Sequence, residues 1–266
     1  MKIDQAQQVQ ISDQQAQNPD ATSDLRYEIK LVCFPHLLAQ ARSWIRLHPA
    51  GFVVAYPPRC VNSLYLDTPH LSSLNDNLGG VSYRRKLRLR WYDALPTGRP
   101  FHPRGAQLVS QPPYGDGDTD IQPILELKQK RNLLGMKKRY ALPCRLDLAL
   151  PWTEILNKVW ANVGVDWQAI LQTVNQPTLI NRYQREYYVT LDGAIRATLD
   201  FGQVAYDQRL SRRPNLRLRL PLPDAVVIEI KGAPDQAERL QEIAARFPVS
   251  RTRHSKYVRG LSAGLG

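Results

Sequence analysis

Charged and apolar residues alternate along residues 84 to 92, Arg-Arg-Lys-Leu-Arg-Leu-Arg-Trp-Tyr. A two-residue period separates two faces, with Arg84, Lys86, Arg88 and Arg90 on one and Arg85, Leu87, Leu89 and Trp91 on the other. A helical period would scatter the cations, so the pattern predicts a β-strand with one cationic face. Cations on one face repel each other, and we expect an anion above them. For this strand alone, a solvated outer face of a sheet fits equally well.

The same alternation recurs at residues 26–31, 125–130, 195–200, 216–220 and 228–231. Together with Arg185, the polar positions of all these strands hold thirteen cations and four acids. Their net charge of 13 − 4 = +9 is most of the chain's formal charge of +12. This repetition favours a cationic surface built from strands over a basic tail.

Other patterns predict the elements between these strands. Apolar residues at helical spacing predict helices over residues 35–45, 153–163, 167–174 and 234–247, and a short helix should end near residue 79. Further strands are expected at residues 61–67, 178–190 and 226–231. Two hairpins are predicted, one at Asp192-Gly193 and one around Asn132 and Gly135. Residues 1–23 are polar and predict a disordered leader, and residues 94–122 are rich in Pro, Gly and Asp and predict a mobile loop within one domain spanning residues 24–266.

The predicted elements indicate an α+β protein with about eight strands, each charged on one face and apolar on the other. If helices cover the apolar faces, the charged faces must point inward. A closed, eight-stranded antiparallel β tunnel with a basic bore, flanked by helices, satisfies both demands and leaves no sheet edge.

Composition narrows the classes of function. The pI near 9.8 leaves nucleic acid, an anionic membrane surface or a phosphorylated small molecule as partners. The three cysteines are far apart and no CxxC occurs, which favours a reducing compartment. The sequence has no membrane-spanning apolar run and no secretory signal, so a cytoplasmic protein is expected. Motifs of P-loop, dinucleotide-binding and GxSxG proteins are absent, and the five histidines lack metal-ligand spacing.

Eight short motifs occur along the chain and are specific in their order and spacing, not singly. They are Arg26–Lys30, Asn62–Thr68, Lys86–Tyr92, Glu126–Lys128, Tyr183–Arg185, Arg196–Asp200, Glu229–Lys231 and Ser255–Tyr257. In these motifs the chain resembles a known family, the VTC domain, over about residues 24 to 262. That domain is the catalytic domain of the vacuolar transporter chaperone polyphosphate polymerase and belongs to the triphosphate tunnel metalloenzyme (CYTH-like) superfamily.

The resemblance implies a tunnel that holds polyphosphate and a divalent metal, Mn²⁺ or Mg²⁺. It implies that these residues grip phosphates during catalysis: Lys30, Arg88, Arg90, Lys128, Arg185, Arg196 and Lys256. Further phosphate-binding candidates are Lys86, Lys130, Arg219 and Lys231, with Lys130 expected at the rim. Glu229 is the expected metal ligand, and Glu28 and Glu126 are lesser candidates. Arg26 stands where superfamily relatives carry the first acid of the first strand, as in the VTC branch.

Three functions are consistent with these residues. The first is a polyphosphate polymerase that transfers the γ-phosphoryl group of ATP to a polyphosphate chain. The second is a metal-dependent hydrolase of tri- or polyphosphate in the same tunnel. The third is a non-catalytic polyanion or nucleic-acid binder, which is disfavoured because the cations are not interleaved with exposed aromatic residues and a closed bore would exclude a duplex.

Simpler structural roles remain open for several of these residues. Lys128, Arg196 and Glu229 could form ordinary cross-strand ion pairs, and Lys256 could be a helix C-terminal cation. The sequence does not distinguish polymerase from hydrolase, and it leaves the preferred metal and the oligomeric state open.

Overall fold

The computed structural model describes residues 26–94, 119–131 and 134–265. The predicted leader lies outside these ranges, as does most of the loop predicted at residues 94–122. The main sheet has eight strands, paired antiparallel throughout in the order β1-β10-β9-β8-β2-β3-β5-β6. These strands are β1 (Tyr27–Cys33), β2 (Phe52–Asp67), β3 (Tyr83–Ala94), β5 (Ile124–Arg131), β6 (Leu134–Ala141), β8 (Gln176–Thr190), β9 (Arg196–Asp207) and β10 (Val226–Gly232). A small second sheet pairs β4 (Asp120–Ile121) with β7 (Leu146–Asp147).

Six α-helices accompany the sheets in the described part of the chain. They are α1 (Leu38–Arg46), α2 (Ser72–Leu78), α3 (Trp152–Ala161), α4 (Val165–Leu171), α5 (Ala237–Ala245) and α6 (Lys256–Ser262). Single 3-10 turns at Pro35–Leu37 and Pro234–Gln236 lead into α1 and α5, where a proline suits the first turn. None of the helices described here is long and apolar enough to cross a lipid bilayer.

The apolar face of the sheet is covered by helices, as the alternation predicts. On β3, Leu87, Leu89 and Trp91 are buried in one core cluster with Ile155 and Val159 of α3. In a second cluster, apolar residues of β1, β9 and β10 pack with α1 and α5. Because these helices cover the outer face, the alternate positions of the same strands face the concave side.

The sheet curves strongly without closing through backbone hydrogen bonds. Strands β1 and β6 end the strand order, and no pairing within the described ranges joins them. The two ends of the sheet are nevertheless in contact through side chains, since Lys128 Nζ on β5, the neighbour of β6, lies 3.4 Å from Glu28 Oε2 on β1. The eight-stranded antiparallel sheet is confirmed. The predicted closure of the barrel is not, because the strand pairings of the described residues leave β1 and β6 at the two ends of the sheet, with a side-chain contact from β5 to β1 between them.

Two sequence-based assignments differ from the structure. Strand β2 begins at Phe52, well before the predicted residue 61, and passes through Pro57 and Pro58. Its register shifts between Tyr56 and Arg59, so the two prolines occupy a bulge that needs no ladder donors. The strand predicted at residues 216–220 is wrong, because only Arg219 makes a single bridge, to Tyr206 of β9.

Helix α6 packs on the concave face at one end of the sheet. Tyr257 and Leu261 form a buried cluster with Tyr65 and Leu179, and Tyr65 pairs across β2 and β3 with the cation Arg88. Directly paired residues share a face, so α6 covers the end of the cationic surface. The Tyr257 hydroxyl donates to buried Asp67, which also accepts from the backbone N–H groups of Ser73 and Leu74 and so ties α6 to α2.

The close packing of Gly260 in α6 against Leu179 in β8 predicts that Gly260→Ala destabilises the protein. A Cβ at residue 260 would lie 2.5 Å from Leu179 Cδ2 and 3.3 Å from its Cγ, and fully buried Leu179 has no room to move away. Overpacking outweighs the better helix propensity of alanine, and we expect a loss of about 1–2 kcal/mol in the free energy of unfolding. Chemical denaturation measures this quantity. The matched control is Gly164→Ala, where nothing lies within 4 Å. Equal stabilities of the two variants would contradict the close contact.

Candidate functional site

The concave face encloses a cavity of about 1040 Å³. Among the described residues that line it, fifteen are lysine or arginine and two are glutamate, Glu28 and Glu229. The cations come from seven strands of the main sheet, from the position just before β1, from the segment before α6 and from the first residue of α6. They are Arg26, Lys30, Lys86, Arg88, Arg90, Lys128, Lys130, Lys137, Arg139, Arg185, Arg196, Lys231, Arg251, Arg253 and Lys256.

Most of the residues predicted from the sequence lie in this cavity. All seven candidates for gripping phosphate during catalysis line it: Lys30, Arg88, Arg90, Lys128, Arg185, Arg196 and Lys256. Lys86, Lys130, Lys231, Glu28 and Glu229 also line it. Two candidates lie elsewhere. Arg219 is not among the lining residues, because its segment is not a strand of the main sheet, and Glu126 is buried behind the cations.

Glu126 is the centre of one cluster of ion pairs. It is 1% exposed, and its Oε2 lies 2.7 Å from Arg88 Nη2 and 3.6 Å from Arg90 Nη1. Its Oε1 contacts Lys137 Nζ at 2.5 Å and Arg139 Nε at 3.3 Å. Burial opposes ionisation, but Arg88, Arg90 and Lys137 outweigh it and hold the pKa of Glu126 far below its usual value. The stabilisation is therefore present above a carboxyl's ordinary pKa of about 4 and is lost as the pH falls below it.

Asp200 is the centre of a second cluster and connects β9 with β8 and α6. Arg185 grips it with two hydrogen bonds, Nε to Oδ1 at 2.5 Å and Nη2 to Oδ2 at 2.7 Å, and Lys256 Nζ lies 2.5 Å from Oδ2. Despite burial, Arg185 and Lys256 lower the pKa of Asp200 to about 2. Lys256 is the first residue of α6, so it is an ion-paired cavity residue and not a helix C-terminal cation.

Glu28 and Glu229 form a third cluster on neighbouring strands. Lys30 Nζ lies 2.8 Å from Glu28 Oε1 and 3.4 Å from Glu229 Oε1, and Lys231 Nζ lies 2.9 Å from Glu229 Oε2. Burial disfavours the charged forms, but Lys231, Lys30 and Arg185 keep the pKa of Glu229 well below its usual value. The two glutamates in turn raise the pKa of Lys30.

These two glutamates fit a site for a hard divalent cation, and Glu126 does not. Their carboxylate oxygens are ligands that Mg²⁺ and Mn²⁺ favour, and both face the cavity. Within the described ranges no group of three His, Cys, Asp or Glu residues could hold a metal ion, so any further ligands would be water or substrate oxygens. Glu126 does not line the cavity, and its one carboxylate is occupied by four cations. Glu28 and Glu229 also contact four cations, but they share them between two carboxylates that line the cavity.

Lys86 differs from these paired cations. Its Nζ donates to the hydroxyl of Ser255 at 2.9 Å. Burial, together with Lys30, Lys128 and Arg88, lowers the pKa of Lys86 to about 7. The ammonium is therefore destabilised at neutral pH, which marks this position as one that an anionic ligand would stabilise.

The sequence reasoning missed several lining residues. Lys137 and Arg139 lie on β6, and Arg251 and Arg253 lie on the segment before α6. Tyrosines also line the cavity, and Tyr56 and Tyr92 are 55% and 40% exposed. The premise that the cations are not interleaved with exposed aromatic residues is therefore wrong, since Tyr92 follows Arg90 on the same face of β3.

The charge balance around Glu126 predicts a large effect of Glu126→Gln. The substitution leaves four clustered cations without their shared acid, and breaking a buried ion cluster typically costs about 3–5 kcal/mol of the free energy of unfolding. Denaturant titration measures the loss, and the exposed Glu242→Gln on α5 is the matched control. Tripolyphosphate should restore more stability to the Glu126 variant than to the wild type, because it replaces the missing negative charge. A stability loss no larger than that of the control would show that the cations do not depend on this acid.

Comparisons with solved structures show only distant likenesses. A protein from Pyrococcus horikoshii OT3 is 13% identical with a TM-score of 0.45, covering 90% of this chain and 99% of its own. An adenylyl cyclase candidate from Hippeastrum with a dominant triphosphatase activity is 15% identical with a TM-score of 0.46, covering 90% and 95%. An adenylate cyclase candidate from Vibrio parahaemolyticus is 15% identical with a TM-score of 0.45, covering 91% and 99%.

The family comparison is decisive. No curated protein matches the chain. The family profile described as VTC domain matches residues 25–102 and 111–264, which is most of the sequence and contains every cavity-lining cation. The chain therefore belongs to the VTC domain family.

Proposed function

We propose that this protein is a metal-dependent phosphotransferase that extends polyphosphate with the γ-phosphoryl group of ATP. The observation that carries the proposal is the convergence of fifteen cations on one cavity in a member of the VTC domain family. Such a surface suits an extended, highly charged anion better than a single phosphate group.

The cations suit a phosphate chain in their geometry as well as their charge. Arg88 and Arg185 are held by buried acids, so their guanidinium groups are oriented before the ligand arrives. Guanidinium groups bind phosphate oxygens in a bidentate manner and stay charged. The side-chain contact between Lys128 and Glu28 bridges the open side of the sheet and supports a tunnel around the polymer.

The transfer requires positioning and charge neutralisation. A terminal oxygen of the polyphosphate chain forms a bond to the γ-phosphorus of ATP, and the bond from that phosphorus to the β–γ bridging oxygen breaks. ADP leaves with the electron pair. The transition state spreads negative charge over the transferred group, and we assign its stabilisation to Lys30, Arg88, Arg90, Lys128, Arg185, Arg196 and Lys256. Lys86, Lys130 and Lys231 would bind the remainder of the chain.

Glu229 and Glu28 would hold Mn²⁺ or Mg²⁺ at the cavity wall. The ion would supply positive charge to bridge and neutralise phosphate oxygens. Lys30 and Lys231 contact both glutamates, so they hold the two carboxylates near each other. Glu126 has a positioning role in this proposal, because its contacts are with Arg88, Arg90, Lys137 and Arg139.

The low pKa of the two cavity acids, Glu28 and Glu229, favours phosphate over water as the acceptor of the phosphoryl group. Hydrolysis needs a proton to be removed from water, whereas the end of a phosphate chain is already ionised. Among the described residues, the acids that line the cavity are Glu28 and Glu229, and each is paired with Lys30 and Lys231. Their low pKa makes them weak proton acceptors.

The deciding experiment incubates the protein with ATP and Mn²⁺ and separates the products on a gel. We expect long polyphosphate and ADP, and Arg90→Ala should lower the rate about a hundredfold or more because it removes a donor to the transferred group. Arg84→Ala is the matched control, since Arg84 is on β3 but does not line the cavity. Free phosphate without polymer would identify a hydrolase. Bound polyphosphate without turnover would identify a binding protein.

Ligand binding should also be coupled to protons. The pKa of Lys86 is about 7 in the free protein, and a bound phosphate chain favours its ammonium form, so binding above pH 7 takes up protons and weakens as the pH rises. Calorimetric titration with tripolyphosphate at pH 8, in buffers of different ionisation enthalpy, measures this uptake. Lys86→Arg stays charged and should take up about one proton less. Protons gained or lost by tripolyphosphate itself contribute equally to both measurements, so they cancel in the difference between the wild type and Lys86→Arg. Identical uptake would show that Lys86 is already charged or does not meet the ligand.

A further inference from the structure

Three tyrosines extend the cationic faces of the strands. Tyr92 lies two residues beyond Arg90 on β3, and Tyr187 lies two residues beyond Arg185 on β8. Tyr56 of β2 is paired with Tyr187 across the sheet. All three tyrosines line the cavity. Two residues along a strand span about 7 Å, so the aromatic rings adjoin the cations.

These rings line one part of the cavity wall. The rings of Tyr56 and Tyr187 are 6.0 Å apart and nearly perpendicular, and the Arg59 guanidinium lies 6.0 Å from the ring centre of Tyr92. Arg59 is paired with Arg185, two residues from Tyr187, and Tyr187 is half-buried. Tyr56 and Tyr92, in contrast, leave much of their surface to solvent. We call Tyr56, Tyr92 and Tyr187 the tyrosine cluster.

The backbone builds this cluster through the bulge in β2. Tyr56 pairs with Tyr187 and Arg59 pairs with Arg185, so Pro57 and Pro58 stand opposite the single residue Glu186 and β2 holds one extra residue here. The bulge bends the strand and turns Tyr56 and Arg59 toward the same part of the sheet. Bulges are common beside functional sites, where they re-aim a side chain.

We propose that the tyrosine cluster stacks against the base of the nucleotide whose phosphates bind the cations. This inference rests on the proposed function and adds the part of the site that recognises a nucleoside. A phosphate chain can accept hydrogen bonds from tyrosine hydroxyl groups but gains nothing from the faces of the rings, whereas a nucleobase has a flat π-surface that stacks on tyrosine and on guanidinium groups. The ring cluster adjoins Arg90 and Arg185, so one ligand with a base at one end and phosphates at the other can contact both.

The chemistry of the cluster sets its selectivity. Stacking accepts any base, and its strength grows with ring area, so purine nucleotides should bind more tightly than pyrimidine nucleotides. Burial, opposed by Arg185, raises the pKa of Tyr187 to about 12, so its hydroxyl stays neutral beside the phosphates.

The test compares two ligands that share the phosphates and differ in the nucleoside. Binding of ATP and of inorganic tripolyphosphate is measured by calorimetry with a chelator present, so that no turnover occurs. In the variant carrying Tyr92→Ala and Tyr187→Ala, ATP should bind about 5- to 150-fold more weakly, whereas tripolyphosphate should bind within about twofold of the wild type. Phenylalanine at both positions should restore ATP binding, because the ring is kept.

A control and the opposing outcomes complete the experiment. Tyr83→Ala removes an exposed tyrosine of β3 that does not line the cavity, and it should leave both ligands unchanged. Unchanged ATP binding in the double alanine variant, or an equal loss for both ligands, would overturn the stacking role. If the wild type binds neither ligand, the proposed function itself fails. If it binds tripolyphosphate and the double variant shows no selective loss, only the stacking inference fails.

Discussion

Repulsion among like charges is the constraint on which this structure depends. Alternating strands place many cations on one concave surface, where their mutual repulsion would open the sheet if nothing balanced them. Buried acids on neighbouring strands supply the balance. Glu126 of β5 contacts Arg88 of β3, and Asp200 of β9 contacts Arg185 of β8 and Lys256 of α6. Glu229 of β10 contacts Lys30 of β1. Each acid contacts at least two cations, so the charges are kept ionised and oriented before any ligand binds.

The acids neutralise only part of this charge, and the cavity keeps a large excess of positive charge. Lys86 shows the consequence, since it donates to the neutral Ser255 hydroxyl and its ammonium is destabilised by burial and by other cations. A phosphate chain would remove that cost. We therefore expect the protein to be most stable with a polyanion inside, because the unfavourable charges that weaken the free state would then become the source of affinity.

Much of the fold follows from the sequence, and the exceptions have physical reasons. Strand β3 is predictable because its cationic and apolar residues alternate strictly from Lys86 to Trp91. The first half of β2 is not, because its side chains are mostly exposed and two prolines suggest a loop. Residues 216–220 alternate equally well, yet they have no partner strand beyond one bridge. Alternation therefore indicates what a strand would look like, and only the three-dimensional fold decides whether a neighbour exists.

The site shows the same limit. Lys137 and Arg139 stand in a polar run, Lys137-Lys138-Arg139-Tyr140, in which the two faces of β6 cannot be distinguished, and Arg251 and Arg253 lie outside any strand of the main sheet. Tyr92 directly follows Trp91. One of these two aromatic residues is buried in the core and the other lines the cavity, and their types alone do not distinguish them.

In the proposed reaction the growing chain must also move, and the chemistry of the cations suits this requirement. Arg88 and Arg185 are fixed by buried acids and can hold the reacting phosphates in one geometry. Lys128 and Lys231 are point charges on flexible stems and are more exposed. We expect the arginines to define where transfer occurs and the lysines to let the chain slide between cycles, because a point charge can pass from one phosphate to the next without losing a bidentate contact.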